Sequence, residues 1–280
     1  MSLFNELPDT NLPPLGSCYI DPTLEKAFVP FAQRSASKAL RTVARGTRLP
    51  MPQSPTIRFF LWWKNGEDRV DIDLSGAMYD SNWKMVSYLS FYRLRDEEMY
   101  CHHSGDITSA PHGACEFIDL SIEHLLQMNV QYAVMTINSF THQPYCDLPE
   151  CFAGWMGRKK PKSGEVFEAK TVVDKVDLAS DTTMVIPVIL DVKNREVIWT
   201  DMAVGNGRRR NTLHGNLDAT AFACRAVANL NKPNLYDLFS MHVEARGTLV
   251  DSAEGADKVY SLNSGITPYD YSLIASEYMA

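Results

Sequence analysis

Short stretches in which apolar side chains alternate with polar ones, or run uninterrupted, dominate residues 56–204. Stretches of about 4–8 residues with this pattern are typical of β-strands, and an apolar run on both faces indicates a strand that is covered on both sides. Among these strand-like stretches, only residues 123–128 have the pattern of a helix. We therefore expect a mainly β fold, an antiparallel β-sandwich of about eight strands, with strands at residues 56–63, 69–75, 86–93, 115–122, 130–139, 166–173, 183–191 and 196–204.

Turn residues suggest how some of these strands are connected. Asn65-Gly66 is a strong tight-turn signal, so the pattern predicts that residues 56–63 and 69–75 pair as a hairpin. Lys193-Asn194 marks a turn between the last two strands. Pro187 lacks a backbone donor, which predicts either an edge position or a bulge for its strand.

The flanks of the β region have a different pattern. Residues 1–28 contain four prolines and little periodicity, and this extended stretch leads into a predicted helix over residues 31–46. After residue 207 we expect helices at 217–230 and 234–246, and a last helix with Thr267 as its N-cap. The expected domains are an N-terminal extended arm and helix (1–52), a β-sandwich (53–206) and a helical C-terminal appendage (207–280).

Composition narrows the classes of function. The chain of 280 residues is 45% apolar and 22% charged, with a formal charge of −7, which argues against a role in binding nucleic acid. The six cysteines include no Cys-x-x-Cys pair, so neither a disulfide framework nor a zinc ribbon is indicated. No apolar stretch reaches about 18 residues. We expect a cytoplasmic protein without a membrane span.

The stretch around Asp71 and Asp73 offers candidate chemistry. Side chains alternate along a strand, which places these two carboxylates on one face, about 6–7 Å apart. They repel each other unless water or a hard cation with oxygen ligands lies between them. The turn Ser104-Gly105-Asp106 can supply further oxygens, because glycine permits tight backbone geometry. Two interpretations stay open: a cation site, or the solvated face of a half-buried strand.

Several motifs occur together in one order: Asp71-x-Asp73-Leu-Ser, Phe91-Tyr92, His103-Ser104-Gly105-Asp106, Glu116 and Trp199-x-Asp-x-Ala203-Val204-Gly205. In this order they resemble the TerD family, the stress-response and tellurite-resistance β-sandwich domains that bind calcium. The resemblance covers residues 56–206, and the flanks are similar to those of a longer, TerD-containing bacterial subgroup.

The resemblance implies a non-enzymatic protein that binds calcium and presents an ordered loop to a protein partner or to a second copy of itself. The family motif is rich in acidic residues, whereas here residues 107–115 contain none. Fewer charged ligands weaken a calcium site. Where the family implies two ions, we therefore expect one at most, held by Asp71, Asp73, Asp106 and Glu116.

Other chemistry remains open at this stage. His102, His103 and His112 with Cys101 and Cys115 are ligand types that suit zinc, but neighbours on a strand face opposite ways, so His102 and His103 do not converge easily. A basic cluster offers an anion site, a hinge or a docking surface; its residues are Arg208, Arg209 and Arg210. The alternative functions are a scaffold subunit of a stress or phage-related assembly without metal, and a metal-dependent hydrolase. The sequence indicates no small-molecule substrate.

Overall fold

The computed structural model of the protein describes residues 12–30, 43–204 and 217–279. In chain order the strands and helices of these residues are β1 (Gly16–Ile20), β2 (Arg48–Pro50), β3 (Thr56–Lys64), β4 (Ile72–Tyr79), β5 (Met85–Leu89), β6 (Arg95–Asp96), β7 (Cys101–His103), β8 (Ala114–Ser121), α1 (Ile122–Gln127), β9 (Tyr132–Ser139), β10 (Glu150–Arg158), β11 (Val172–Asp177), β12 (Met184–Asp191), β13 (Glu196–Ala203), α2 (Leu217–Ala228), α3 (Leu235–Arg246), β14 (Gly247–Leu249), β15 (Lys258–Tyr260) and α4 (Tyr271–Tyr278). The mainly β fold that the sequence predicts is confirmed. Helices α2 and α3 have 12 residues each, well short of the about 20 that a bilayer-crossing helix needs.

The chain forms two compact units. Of the described residues, the larger unit contains 50–204 and 217–228, and the smaller unit contains 12–30, 43–49 and 229–279. The expected domain limits at 52/53 and 206/207 stay predictions.

Two antiparallel sheets build the larger unit. One has the strand order β11-β10-β3-β8-β7-β6, and the other includes β13-β12-β9-β4-β5. Side chains from the two sheets meet in the core: Trp155 of β10 packs edge-to-face on Trp199 of β13, with ring centroids 6.4 Å apart. Both rings are almost fully buried. Burial of apolar side chains between two sheets is the main stabilising contribution in a β-sandwich.

The predicted hairpin between residues 56–63 and 69–75 is wrong. β3 lies between β10 and β8 in one sheet, whereas β4 lies between β9 and β5 in the other. Asn65, whose presence before Gly66 led to the hairpin prediction, has a different structural role. Its side-chain oxygen accepts hydrogen bonds from the backbone N–H groups of Val70 and Ala110, so it holds the connection that passes from one sheet to the other.

Pro187 lies in β12, a strand with neighbours on both sides, because β13 and β9 flank it. The register of β12 against β13 shifts between Ile186 and Val188, which is the bulge that the sequence allowed as one of two outcomes. A proline has no N–H for the ladder, so an interior strand accommodates it only where the ladder is interrupted.

The smaller unit has its own core. β1 pairs in parallel with β14 and β15, and α3 and α4 contribute buried side chains that include Phe239, Ile274 and Tyr278. α3 begins as expected, with the Asn234 side chain accepting a hydrogen bond from the N–H of Asp237. The last helix begins later than predicted: its N-cap is Asp270, whose side chain accepts hydrogen bonds from the backbone N–H and the hydroxyl of Thr267.

Candidate metal centre

Three carboxylates converge at the start of β4. Asp71 precedes the strand, Asp73 lies within it, and Asp106 is in the loop that follows β7. One oxygen from each lies within 4.8 Å of the other two. Asp71 and Asp73 are 4% and 6% exposed, so they do not form the solvated face of a half-buried strand. The second interpretation left open by the sequence is therefore wrong.

Gly105 gives the loop the shape that carries Asp106 to the strand. Its φ is +115°, in the region that side-chain-bearing residues rarely adopt, and its N–H donates to Nδ1 of His103. Asp106 is the exposed member of the three carboxylates. The opening of the site to solvent is therefore at the loop, and its floor is the strand.

Burial and the charges of neighbouring carboxylates raise the pKa values of Asp71 and Asp73. The pKa of Asp73 is raised to about 7, first by burial and then by the charges of Asp71 and Asp106. Burial also raises the pKa of Asp71, against the effect of its Arg69 partner. A bound proton or cation neutralises the carboxylates and so removes both the cost of burying their charge and their mutual repulsion. The cluster therefore favours binding of positive charge near neutral pH.

Arg69 neutralises part of the negative charge of the cluster. Its Nη2 lies 2.9 Å from Oδ2 of Asp71, and its Nε donates to the carbonyl of Thr108 at 2.7 Å. The Arg69 side chain is 59% exposed, so water screens its charge. This ion pair occupies one oxygen of Asp71, and in the described part of the chain Arg69 forms no ion pair with Asp73.

Asn138 is a part of the site that sequence reasoning missed. It is opposite Asp73 in the ladder between β4 and β9, and its side-chain hydrogen bond lowers the pKa of Asp73. Among the described residues, the buried Oδ1 of Asn138 has no hydrogen-bond partner. Amide oxygens are ligands for hard cations. Only the strand register could reveal this residue, because it is far from Asp73 in the sequence.

Glu116 lies beside the three carboxylates and not among them. Its Oε2 accepts a hydrogen bond from the N–H of Leu74, and its Oε1 accepts one from the N–H of Ile107. Burial raises the pKa of Glu116 to about 8, in spite of these two bonds. The side chain therefore joins β4 to the loop of residues 104–113, whereas its predicted role as a ligand stays a prediction.

The cluster fits the requirements of one calcium ion. Two oxygens on opposite sides of Ca²⁺, at 2.3–2.6 Å from it, are about 4.6–5.2 Å apart. Oxygens that lie within 4.8 Å of one another can therefore surround such an ion. Three carboxylates, the unpartnered amide oxygen of Asn138 and water are all oxygen ligands. The donor set suits a hard cation and not a soft one.

The histidines diverge, as strand alternation predicts. His103 is buried and its Nε2 lies 2.9 Å from the carbonyl oxygen of Leu74, whereas Nε2 of His102 lies 3.3 Å from Oδ2 of Asp119. Since Gly105 donates to Nδ1 of His103, the proton of this imidazole is on Nε2. Among the described residues, the three aspartates form the group of metal-ligand type, and no histidine or cysteine belongs to it. Arg208, Arg209 and Arg210 lie outside the described residues, as do residues 31–42 of the predicted helix over 31–46.

Comparisons with known proteins bear on the family. No protein-family model matches the chain. Two solved structures match 55% of this chain. One is a homologue of telluride resistance protein (TerD) from Streptomyces coelicolor A3(2), 93% of which is covered, with 10% identity and a TM-score of 0.44. The other is SAV2460, a protein of unknown function, 94% of which is covered, with 12% identity and a TM-score of 0.42.

The sequence comparison is more informative. Over 88 residues, 31% of this chain, the sequence is 32% identical to the tellurium resistance protein TerZ of Serratia marcescens. The match spans 45% of TerZ, so the chain covers less than half the length of this curated relative. Through this segment, the chain is similar to a tellurium-resistance protein, which supports a relationship to the TerD family.

Proposed function

We propose that this TerD-like protein is a non-catalytic stress-response protein that binds one calcium ion at Asp71, Asp73 and Asp106. The observation that supports the proposal most directly is the approach of these three carboxylates to within 4.8 Å, with two of them buried. Like charges in such an arrangement are destabilising unless a cation or protons neutralise them. Calcium binding would convert this repulsion into attraction.

The consequence of binding would be an ordered loop. Residues 104–113 are held at several points: Ile107 by Glu116, the carbonyl of Thr108 by Arg69, and Ala110 by Asn65. Asp106, the exposed carboxylate, directly precedes the first of these anchors. An ion that joins Asp106 to Asp71 and Asp73 would add the missing attachment, and the ordered loop would present its outer surface to a protein partner or to a second copy of the chain.

A cytoplasmic setting is part of the proposal. All six cysteines are free, and five of them are buried. Burial raises the pKa of Cys101 and of Cys115 to about 12, so these thiols are inert. Free thiols are usual in a reducing compartment.

Calorimetric titration of the metal-free protein with CaCl₂ tests the proposal. We expect one site per chain, loss of binding in Asp73→Asn, and unchanged binding in the control Asp251→Asn, which removes one exposed carboxylate from the smaller unit. At 100 times the dissociation constant, calcium should stabilise the protein by about 2.7 kcal/mol. Absence of binding to a folded wild-type protein would refute the calcium role.

A metal-free interaction module is the second candidate. Arg69 already neutralises part of the cluster by its contact with Asp71. If this suffices, a chelator will leave both the melting temperature and the assembled mass of the protein unchanged. A melting temperature that falls on chelation in the wild type, but not in Asp73→Asn, excludes this candidate.

A further inference from the structure

A second charged site lies in the connection between β10 and β11. A cavity of about 500 Å³ opens there, within the size range of small-molecule sites. Its lining is charged, and the residues that matter here are Lys159, Lys160, Ser163, Glu165, Glu168 and Lys170. None of them belongs to the three-carboxylate cluster.

Arg158 supports this lining from within the protein. The residue is 1% exposed. Its Nη1 donates to Oε2 of Glu168 at 2.8 Å, and its Nη2 donates to Oγ of Ser163 at 2.8 Å and to the carbonyl of Glu165 at 3.2 Å. All three acceptors belong to residues that line the cavity. Among the described residues, the buried Nε of Arg158 has no hydrogen-bond partner. A buried guanidinium is thus held directly behind the cavity.

Positive charge exceeds negative charge at this place. Three lysines and Arg158 face two glutamates, which leaves two net positive charges in a protein whose formal charge is −7. Glu168 contacts both Arg158 and Lys170, and hydrogen bonding to Lys170 holds the pKa of Glu168 below its usual value. In the described part of the chain, neither Lys159 nor Lys160 forms an ion pair, whereas Lys170 pairs with Glu168. These two ammonium groups therefore carry the surplus.

Ser163 completes the donor set. Its hydroxyl oxygen accepts from Arg158, which leaves its own proton to be donated to a ligand. The N–H of Ser163 donates to the carbonyl of Lys160, forming a turn that brings the hydroxyl next to the lysines. Gly164, with φ of +85°, allows the chain to leave this turn.

We propose that this cavity binds a phosphate group as a dianion, either free or as a monoester. Two net positive charges match the charge of the dianion. The residues that line the cavity include lysines and a serine, which can supply ammonium and hydroxyl donors, and the buried guanidinium of Arg158 is bonded to three of the lining residues. Charge-assisted hydrogen bonds of this kind are the strongest that proteins offer to phosphate.

Titration of the full chain with sodium phosphate tests the proposal, with EDTA present and with ionic strength held constant by NaCl. The double variant Lys159→Gln/Lys160→Gln should bind phosphate about tenfold more weakly than the wild type. Its matched control is Lys84→Gln/Lys193→Gln, which removes two exposed lysines elsewhere in the same unit and changes the net charge equally. We expect this control to bind like the wild type. Ser163→Ala should weaken binding about fivefold, because one donor is lost.

A second arm identifies the source of the phosphate. A tripeptide Gly-phosphoserine-Gly is titrated beside inorganic phosphate, with Gly-Ser-Gly as its control. Binding of the phosphorylated peptide supports a monoester site, and binding of inorganic phosphate alone supports a site for the free anion. Equal affinity of the two double variants would show that the lysines only screen charge, and would overturn the proposal. Absence of binding by both phosphate probes would overturn it as well.

Discussion

Because the pKa of Asp73 is raised in the folded protein, the metal-free protein should become less stable as pH rises. The pKa of Asp73 is about 7 in the folded protein, against an ordinary value of 3.8. Between these two pH values, the folded protein keeps a proton that the unfolded chain has lost. The free energy of unfolding therefore falls with rising pH over this range, and becomes level above about pH 7.

The magnitude follows from the difference between the two pKa values. This difference is about 3 pH units, and each unit corresponds to about 1.4 kcal/mol, so the contribution of Asp73 is at most about 4 kcal/mol. About 3 kcal/mol of it should be lost between pH 5 and pH 8. Asp71 and Glu116 have raised pKa values too, so the wild-type curve alone does not isolate Asp73.

Comparison with Asp73→Asn isolates it. Urea unfolding is followed by tryptophan fluorescence in EDTA from pH 5 to pH 8. All five tryptophans belong to the larger unit, so the signal reports that unit alone. We expect the wild type to lose about 3 kcal/mol more than the variant over this range. Asp251→Asn should follow the wild type.

Parallel curves for the wild type and Asp73→Asn would refute the reasoning, because they would mean that Asp73 titrates normally. Saturating calcium adds a further check. An ion that binds only the ionised cluster competes with the proton, so calcium should flatten or reverse the slope in the wild type and leave Asp73→Asn unchanged.

Three further substitutions test other parts of the larger unit. Glu116→Gln should cost about 1–3 kcal/mol in urea unfolding, because an amide has one acceptor oxygen where the carboxylate accepts from both Leu74 and Ile107; an unchanged midpoint would contradict this link. Asp119→Asn should cost about 3–5 kcal/mol, since it leaves buried Arg58 without its paired charge. Burial opposes ionisation of Asp119, but hydrogen bonds from Arg58 and His102 outweigh it and lower the pKa, so this stabilisation is present above pH 3.8 and should fade as pH falls further. Gly113→Ala should destabilise the protein by more than about 1 kcal/mol and change the emission of Trp62, because φ is +90° and the new methyl group would lie 2.5 Å from that ring; unaltered emission would count against the described loop.

Local sequence patterns predicted the types of most elements correctly. α1, α2 and α3 lie where the sequence pattern places helices, and Asn234, the predicted first residue of the third of them, is the N-cap of α3. The strand predicted at residues 166–173 lies at Val172–Asp177, and β10 was missed. Two other failures share a cause. The hairpin and the start of the last helix were each inferred from one short motif, Asn65-Gly66 and Thr267-Pro268. In the structure, Asn65 Oδ1 accepts from the N–H of Val70, and the hydroxyl of Thr267 donates to Asp270. A local motif cannot show which of several partners is nearest in space.

At the candidate site, too, some features could be predicted from the sequence and others depend on the tertiary structure. Alternation along a strand and a glycine-containing turn were enough to single out Asp71, Asp73 and Asp106, because these are properties of near neighbours in the chain. The pairing of Asp73 with Asn138, the contacts of Glu116 and the burial that raises the pKa of Asp73 to about 7 are decided only by the tertiary structure. They depend on strand register and on exclusion of water, and both arise when segments that are distant in sequence pack together.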